Sequence, residues 1–453
     1  MREPASPLFG ALEKTNQVVE LQITQEYFGQ AKHDVFLVPY WKETLDFDMR
    51  AKGATPTPVK ALVAGATFHR PSGGFVGVSN VGLDDDWFGN QLSQANLYGF
   101  GRLAWNADLT SEQIIDEWTK LTFGLDRKVV DTISAIQLGA WRTYENYTGP
   151  LGLQTLTDIV GDHYAVNVEA SERNGWGQWH RADETGVGMD RSVATGTGFI
   201  GQYRPPVAQV YESLETCPDD LLLFLHHVPY TYKLHSGKSV IQYIYDSHYE
   251  GADQVAAYVR QWKSLQGLVD EQRYRQVLAQ LQYQAGQAIV WRDAVTVWFQ
   301  TNAKIPDAQG RVGSVPGRFE AEAMSLQGYT SRSIAPAPAE DASGGRIVVC
   351  PAGSTCSATM KYAGDAGWYT LSVEYFDLPS GVSQYRVFVD GQLVDQWSAD
   401  LQLPSRRIDA GASTRRVIPG LALRPGDEIR IEGKPGGNEP APLDYLEIQP
   451  DRM

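Results

Sequence analysis

The sequence contains little cysteine and no long apolar run. Three cysteines occur in 453 residues, and no apolar stretch approaches the roughly 20 residues that a membrane-spanning helix needs. Residues 1–7 lack the apolar segment that a signal peptide requires. Basic residues are outnumbered, 39 to 54, and the formal net charge of −15 argues against nucleic acid or an anionic membrane as a partner.

Signatures of nucleotide and metal binding are also missing. The sequence has no GxxxxGK[ST] loop, no dinucleotide fingerprint between a strand and a helix, and no HExxH. Histidines and acids lie close together over residues 206–250, but the adjacent pair His226 and His227 would point apart on a helix. We interpret them as hydrogen-bonded side chains of a packed helix. The sequence therefore implies no cofactor and no metal.

The cysteines that do occur predict one disulfide. Cys350 and Cys356 enclose a short Pro-Ala-Gly-Ser-Thr loop in a β-rich segment, and such a loop can close as a bridge. The alternative is a pair of free thiols. Cys217 has no partner left and is expected to be a buried thiol.

Residues 1–108 alternate between strand and helix patterns, which is typical of βα units with a parallel sheet. The apolar patterns predict strands at 19–24, 34–39 and 73–80, and a helix at about 90–105. Three strands fall short of the eight in a closed α/β barrel. We therefore expect that the domain begins before Met1 or that it is not a barrel.

Glu26 stands where the first of these strands ends. Residues 19–24 alternate between apolar and polar side chains, and Gln25-Glu26-Tyr27 follows. In α/β barrels the catalytic groups lie at the carboxyl ends of the strands, so Glu26 is a candidate catalytic carboxylate. The alternative is an acid that is solvated or caps the next element.

The remaining chain predicts a helical domain and then a β-sandwich. Residues 109–305 have helical periodicity, with Thr110 or Ser111 as a cap and long patterns at 126–145, 251–282 and 284–303. A polar-aromatic loop at 174–183 is either a binding surface or a packed loop anchored by Trp. Residues 306–317 are a linker by composition. Residues 318–453 contain short alternating strands with turns about every ten residues, as in an antiparallel sandwich.

Together these segments resemble the α-glucuronidases of glycoside hydrolase family 67. The matching stretches follow the family order over about residues 2–303, and they are 2–10, 21–27, 94–105, 174–177 and 226–230. The segment from Phe319 to Glu447 resembles the C-terminal extension of secreted, fungal-type members and also a carbohydrate-binding-module sandwich.

The resemblance implies the C-terminal part of a (β/α)₈ barrel, an all-helical domain that often pairs in a homodimer, and a β-sandwich. The implied reaction removes (4-O-methyl)glucuronic acid from the terminal xylose of glucuronoxylan-derived oligosaccharides with inversion, which requires an acid and a base on opposite sides of the bond. Glu26 matches the Glu of an Asp–Glu pair on the base side. Trp176 matches a Trp that the helical domain contributes to the substrate pocket.

The chain departs from the family pattern upstream. The family's second base, an Asp in a Gly-Pro-x-Asp-Phe-Gln run, its acid Glu and the basic residues for the uronic carboxylate would all precede Met1. We therefore expect residues 1–453, made alone, to be inactive, and the full-length protein to be extracellular, with a periplasmic location as the alternative. Two other functions stay open, namely a non-catalytic carbohydrate-binding protein and an unrelated barrel hydrolase.

Overall fold

The computed structural model describes residues 2–11, 13, 15–53, 55–69, 73–79, 89–153, 156–157, 162–168, 182–334 and 338–451. The chain divides into two compact units, one formed by residues 1–159 and 171–288 and the other by residues 160–170 and 289–453. Among the described residues, no helix is both long enough and apolar enough to cross a bilayer.

A pair of parallel strands opens the first unit. Strand β1 (Val18–Gln22) lies beside β2 (Gly74–Val78), with Val18 opposite Gly74. Along β1 the buried and exposed positions alternate, so Val19 and Leu21 face the core. Both strands were expected from their apolar patterns, and their parallel pairing agrees with the predicted βα organisation.

The strand predicted at 34–39 is wrong. Helix α1 (Val38–Asp46) begins inside that segment, with a proline in its first turn, and the residues before it form no ladder. The Asn96 side chain donates to Val35 O over 2.9 Å and accepts from Leu37 N over 2.8 Å. Because this buried amide satisfies the backbone, the apolar segment is held inside without a neighbouring strand.

Helices make up most of the first unit. Besides α1, the described residues form α2 (Val59–Val63), α3 (Gln94–Trp105), α4 (Ser111–Phe123), α5 (Arg127–Tyr147), α6 (Pro205–Glu212), α7 (Leu222–Leu225), α8 (Val240–Lys263), α9 (Glu271–Ala303) and α10 (Pro338–Asp341). Short 3-10 helices occupy Pro7–Ala11, Pro150–Gly152, Phe199–Gln202, Asp219–Leu221, Ala321–Ala323, Ser343–Gly345 and Ala410–Ala412.

The predicted cap of α4 is confirmed, and the predicted break near 283 is wrong. Thr110 accepts from Gln113 N while the Gln113 side chain bonds back to the Thr110 backbone, which is a complete capping box. The break lies instead between the end of α8 and the start of α9, where Gly267 has φ +77°. A left-handed glycine ends a helix, whereas residue 283 lies inside α9.

The second unit contains a sandwich of two antiparallel sheets, as the alternating pattern predicted. Its strands are β3 (Arg318–Glu320), β4 (Ser325–Gln327), β5 (Thr330–Ser333), β6 (Arg346–Val349), β7 (Cys356–Lys361), β8 (Gly367–Phe376), β9 (Gln384–Val389), β10 (Gln392–Ser398), β11 (Ser413–Leu423), β12 (Glu428–Lys434) and β13 (Leu443–Pro450). One sheet has the order β10-β9-β12-β7-β4, and the other has the order β11-β8-β13-β6-β5 with β3 also paired to β13.

The predicted disulfide is confirmed. Cys350 and Cys356 are bonded, with their Cα atoms 5.8 Å apart, and both are buried in the sandwich core. Cys217 is a buried free thiol, as expected. The bridge closes the loop that leads into β7 and therefore fixes one end of the five-stranded sheet.

Candidate functional site

Glu26 lies just beyond the carboxyl end of β1. The parallel pairing continues for one residue past the strand, because Ile23 N donates to Val78 O over 2.8 Å. Next to it, the hydroxyls of Thr24 and Ser79 are 3.5 Å apart. The segment then leaves the sheet in a turn that contains Glu26. The carboxylate therefore stands at the edge of the sheet where parallel α/β proteins build their sites.

The Glu26 side chain is half-buried and held from its own strand. Gln22 Nε2 donates to Glu26 Oε2 over 2.7 Å. The following residue, Tyr27, has a φ of 60°, which bends the chain sharply after the carboxylate. Burial, and then the charge of Glu26, raise the pKa of the Tyr27 phenol. A partly shielded carboxylate with one oriented hydrogen bond can accept a proton from a water molecule.

Gln25 holds the backbone of the turn that contains Glu26, a role that the sequence analysis did not predict. Its buried amide donates to Phe28 O over 3.3 Å and to His33 O over 3.1 Å, and its oxygen accepts from the Ser93 hydroxyl. The sequence feature that could have indicated this role is that Gln25 is a second polar residue next to Glu26, in a segment where apolar and polar residues otherwise alternate. Gln25 is a positioning residue, because it locks the backbone on which the neighbouring carboxylate stands.

A buried polar network supports the same region of the helical unit. Asp34 accepts from Gln137 Nε2 over 2.6 Å, and its backbone N–H donates to Gln284 Oε1 over 2.9 Å. Burial raises the pKa of Asp34 to about 7, although the Gln137 bond opposes it. Nearby, His33 Nδ1 lies 3.0 Å from the Tyr147 hydroxyl, and burial lowers the pKa of His33 to about 3. The network therefore contains a neutral imidazole and a carboxyl group that titrates near neutrality.

Two sets of candidate residues lie outside the described part of the chain. Trp176, the proposed substrate-pocket residue, lies outside the described residues. The acids at 84–86, which follow β2, also lie outside them. Neither position therefore adds to the geometry around Glu26.

For the histidine pair of 206–250 the predicted hydrogen bond is confirmed at His226, but the predicted helix is wrong, because both residues follow the end of α7. His226 follows the short helix α7 in an extended conformation, and its Nε2 lies 2.7 Å from Tyr211 O. His227 Nε2 lies 3.2 Å from Asp183 Oδ2. No group of three or more His, Cys, Asp or Glu side chains that could hold a metal ion occurs in the part of the chain that the structure describes.

Three acids from the two ends of the sandwich, Glu320, Glu322 and Asp444, lie close together. The Ser343 hydroxyl donates to Glu320 Oε1 over 2.7 Å, and its N–H donates to Asp444 Oδ2 over 3.0 Å. Glu320 and Glu322 are close enough that the charge of Glu322 adds to the pKa of Glu320, which burial has already raised. Burial first, and then the charges of Glu320 and Glu374, hold the pKa of Asp444 well above its usual range. This acidic cluster is remote in sequence from Glu26.

Comparison with known families matches most of this chain to one family. The model described as glycosyl hydrolase family 67 middle domain matches residues 1–87. The model described as glycosyl hydrolase family 67 C-terminus matches residues 88–312. The chain belongs to glycosyl hydrolase family 67.

Relatives within family 67 match nearly the full length of the chain. The protein named probable alpha-glucuronidase A of Aspergillus flavus is 47% identical over 99% of this chain and 54% of its own length. Alpha-glucuronidase A of Aspergillus tubingensis is 46% identical, with the same coverage of both proteins. The chain therefore spans about half the length of the curated relatives it matches.

Solved structures match a smaller part of this family 67 chain. A family 35 carbohydrate binding module from Clostridium thermocellum covers 30% of the chain and 100% of its own, at 15% identity and a TM-score of 0.25. The CBM35 from Paenibacillus barcinonensis covers 30% and 98%, at 16% identity and a TM-score of 0.24. These TM-scores are too low to support a conclusion about the chain.

Proposed function

We propose that this chain is part of a xylan α-1,2-glucuronidase, a glycoside hydrolase that releases (4-O-methyl)glucuronic acid from xylooligosaccharides with inversion. The observation that carries the proposal is Glu26, a half-buried carboxylate at the carboxyl edge of a parallel strand pair in a family 67 chain. The relatives named alpha-glucuronidase support the reaction. The substrates would be oligosaccharides derived from glucuronoxylan.

In this proposal Glu26 acts on the base side of an inverting displacement. Inversion needs one carboxyl group to protonate the leaving oxygen and another, across a gap that admits water, to deprotonate the nucleophile. The hydrogen bond from Gln22 orients one oxygen of Glu26, and Gln25 fixes the turn. Trp176 would stack on the sugar in the pocket. No cofactor and no metal enter this mechanism.

The proposed architecture extends the two observed strands. We propose that residues 1–108 form the C-terminal portion of a (β/α)₈ barrel, and that residues 109–305 form a helical domain. Residues 306–317 would then be a linker and residues 318–453 a β-sandwich resembling a carbohydrate-binding module. The parallel pairing of β1 with β2 supports the barrel, because that fold uses parallel strands throughout.

The experiment is a conservative substitution at Glu26 in a complete enzyme. Residues 1–453 are joined to the part of the Aspergillus tubingensis alpha-glucuronidase A that this chain does not match. We expect Glu26→Gln to lower turnover of aldouronic acids by roughly 10²–10⁴-fold, as for other lost acid–base groups. The control is Glu20→Gln, because Glu20 lies exposed on the same strand. A Glu26→Gln enzyme with more than a tenth of the parent rate would exclude the assignment.

Two further measurements test the mechanism. Proton NMR of the first product should detect the β-anomer of the uronic acid, because inversion of an α-linkage produces it. Residues 1–453 alone should release no uronic acid, since a partial barrel leaves unpaired strand edges and lacks the opposing carboxyl group. Turnover by residues 1–453 at ordinary enzymatic rates would show that another carboxylate of this chain supplies the acid.

We also propose an extracellular location, with a periplasm as the alternative, and a homodimer formed through the helical unit. The Cys350–Cys356 bridge supports secretion, because disulfides persist in oxidising compartments.

For the homodimer, two exposed apolar side chains of the helical unit support an interface, since Trp105 and Leu121 are 87% and 74% exposed. Light scattering should find a dimer that Trp105→Glu disrupts and that Val417→Glu, on the sandwich, leaves intact.

A further inference from the structure

The outer face of the five-stranded sheet carries a row of polar side chains, one from each strand. The register places Gln327 opposite Ser357, Ser357 opposite Glu432, Glu432 opposite Arg386, and Arg386 opposite Gln396. Strands in a sheet are about 4.8 Å apart, so the row runs for about 19 Å across the sheet. A row of hydrogen-bonding groups at this spacing can contact an extended polymer at successive units.

A second row deepens this feature into a groove. Three more polar side chains lie opposite one another on β10, β9 and β12, two residues along each strand from the first row. They are Ser398, Gln384 and Lys434. Together with Glu432, Arg386 and Gln396 of the first row they line a groove of about 500 Å³. The six lining residues of the two rows are all polar, and Tyr385 and Trp397 also line the groove. Such a lining suits a ligand rich in hydroxyl groups better than an apolar polypeptide segment.

Positive charge exceeds negative charge along the groove. Arg386 Nη2 pairs with Glu432 Oε2 at 2.6 Å, and Arg430 pairs with the other oxygen of the same carboxylate. Lys434 adds a further positive charge at the groove floor. The groove lining thus carries two cations and one carboxylate, and Arg430 adds a third cation beside it, in a protein whose formal net charge is −15. A local excess of positive charge on an acidic protein is the complement of an anionic ligand.

The side chains that could bind such a ligand are accessible, and a neighbouring ring holds one of the cations in place. The Arg386 side chain is 49% exposed. Arg430 stacks over the Phe388 ring at 4.2 Å, which fixes one cation beside the groove. Within the described part of the chain, the side-chain amides of Gln384 and Gln396 make no hydrogen bond. Each amide can therefore donate and accept at once, as sugar hydroxyls require.

We propose that this groove, formed on β9, β10 and β12, binds an acidic oligosaccharide whose sugars carry carboxylate groups. The amides of the two rows would hydrogen-bond hydroxyls of successive sugars, and Arg386 and Lys434 would bind the carboxylates. A nucleic acid fits poorly, because Glu432 lies in the middle of the groove and the protein as a whole is acidic. The proposal rests on sandwich residues and does not depend on Glu26.

The test is calorimetric titration of residues 1–453 with three probes. They are a xylohexaose substituted with 4-O-methylglucuronate, the unsubstituted xylohexaose, and dextran sulfate. We expect the substituted oligosaccharide to bind at least about tenfold more tightly than the unsubstituted one, and to bind more weakly at high salt, because each charge-assisted contact contributes about that factor. Equal binding of the two xylohexaoses, or tighter binding of dextran sulfate, would overturn the proposal.

Variants locate the site. Arg386→Ala combined with Lys434→Ala should weaken binding of the acidic probe at least about tenfold, and Gln384→Ala should weaken binding of both xylohexaoses. Arg332→Ala is the control, because Arg332 is an exposed arginine on β5 of the other sheet. Thermal unfolding verifies that each variant is folded. Unchanged affinity in the folded double variant would exclude this groove. Arg386→Gln alone, which removes one cation, is used if the double variant fails to fold.

Discussion

Glu447 is a buried charge in the sandwich that two arginines contact. Arg318 donates to its Oε1 from Nε over 2.9 Å and from Nη2 over 2.6 Å, and Arg415 Nη1 lies 3.4 Å from its Oε2. All three side chains are less than a tenth exposed. Burial alone would raise the pKa of Glu447, but the charges of Arg415 and Arg318 outweigh it and hold the pKa below its usual range.

Replacing Glu447 with Gln removes the charge and keeps the volume. Each arginine retains one other carboxylate, because Arg318 Nη2 lies 2.8 Å from Asp293 Oδ2 and Arg415 Nε lies 2.9 Å from Glu374 Oε2. Breaking a buried ion pair costs about 3–5 kcal/mol when a charge is left alone. Since neither arginine is left alone, we expect Glu447→Gln to lower the free energy of unfolding of the sandwich by about 3 kcal/mol.

The assay is hydrogen exchange of the β13 amides, read by mass spectrometry on residues 1–453. β13 pairs with both β8 and β3, so its amides report the opening of the sheet centre. The control is Asp395→Asn, which breaks the more exposed Asp395–Arg416 pair and should cost under about 1 kcal/mol. A Glu447→Gln cost no larger than that of Asp395→Asn would refute the reasoning.

The same variant has a predicted pH dependence. A carboxyl group whose folded pKa is lowered adds stability that is present above its unfolded pKa, about 4.3, and is lost as the pH falls through the folded value. The difference between wild type and Glu447→Gln should therefore be largest at neutral pH and shrink below about pH 4. A difference that stays constant down to low pH would assign the effect to packing rather than to charge.

Three other substitutions have expected outcomes. Asp34→Asn should stabilise the first unit by up to about 4 kcal/mol at pH 8 and by little near pH 4. Burial raises the folded pKa of Asp34 to about 7, so the wild-type carboxyl group costs stability as the pH rises from about 4 to 7, at about 1.4 kcal/mol per pKa unit. Urea unfolding at the two pH values measures the difference. Cys350→Ala with Cys356→Ala should cost the sandwich about 2 kcal/mol, and thiol counting of the denatured parent should find one free thiol. Trp176→Ala should weaken aldouronic acid binding roughly tenfold with an unchanged melting temperature, because a stacked ring is a local contact.

Local signals predicted the regular elements well. The capping box at Thr110 and Gln113 identifies the start of α4 from four residues, and alternation over 368–376 identifies β8. Each of these patterns involves only residues close in sequence. The residues that show the pattern are therefore the same residues that form the helix or strand. The same holds for Glu26, whose position at a strand end is visible from the strand that precedes it.

Prediction failed where a distant side chain replaced a backbone partner. The apolar run at 34–39 looks like a buried strand, yet its hydrogen bonds go to Asn96, about 60 residues along the chain. A single buried amide leaves no periodic trace in the sequence. Gln25 is a similar case, because its contact with Ser93 spans 68 residues.

The groove on the sandwich depends on long-range register in the same way. Between Leu393 and Asp395 the pairing of β10 with β9 shifts by one residue, which is a β-bulge. Regular pairing from Leu393 onward would place Asp395 opposite Arg386, and the carboxylate would neutralise the arginine. The bulge places Gln396 there instead, so the groove keeps its excess of positive charge. The bulge is indicated in the sequence by the adjacent apolar pair Leu393-Val394, where the alternation of apolar and polar residues breaks. The pairing with the partner strand, however, decides which of the following side chains faces outward.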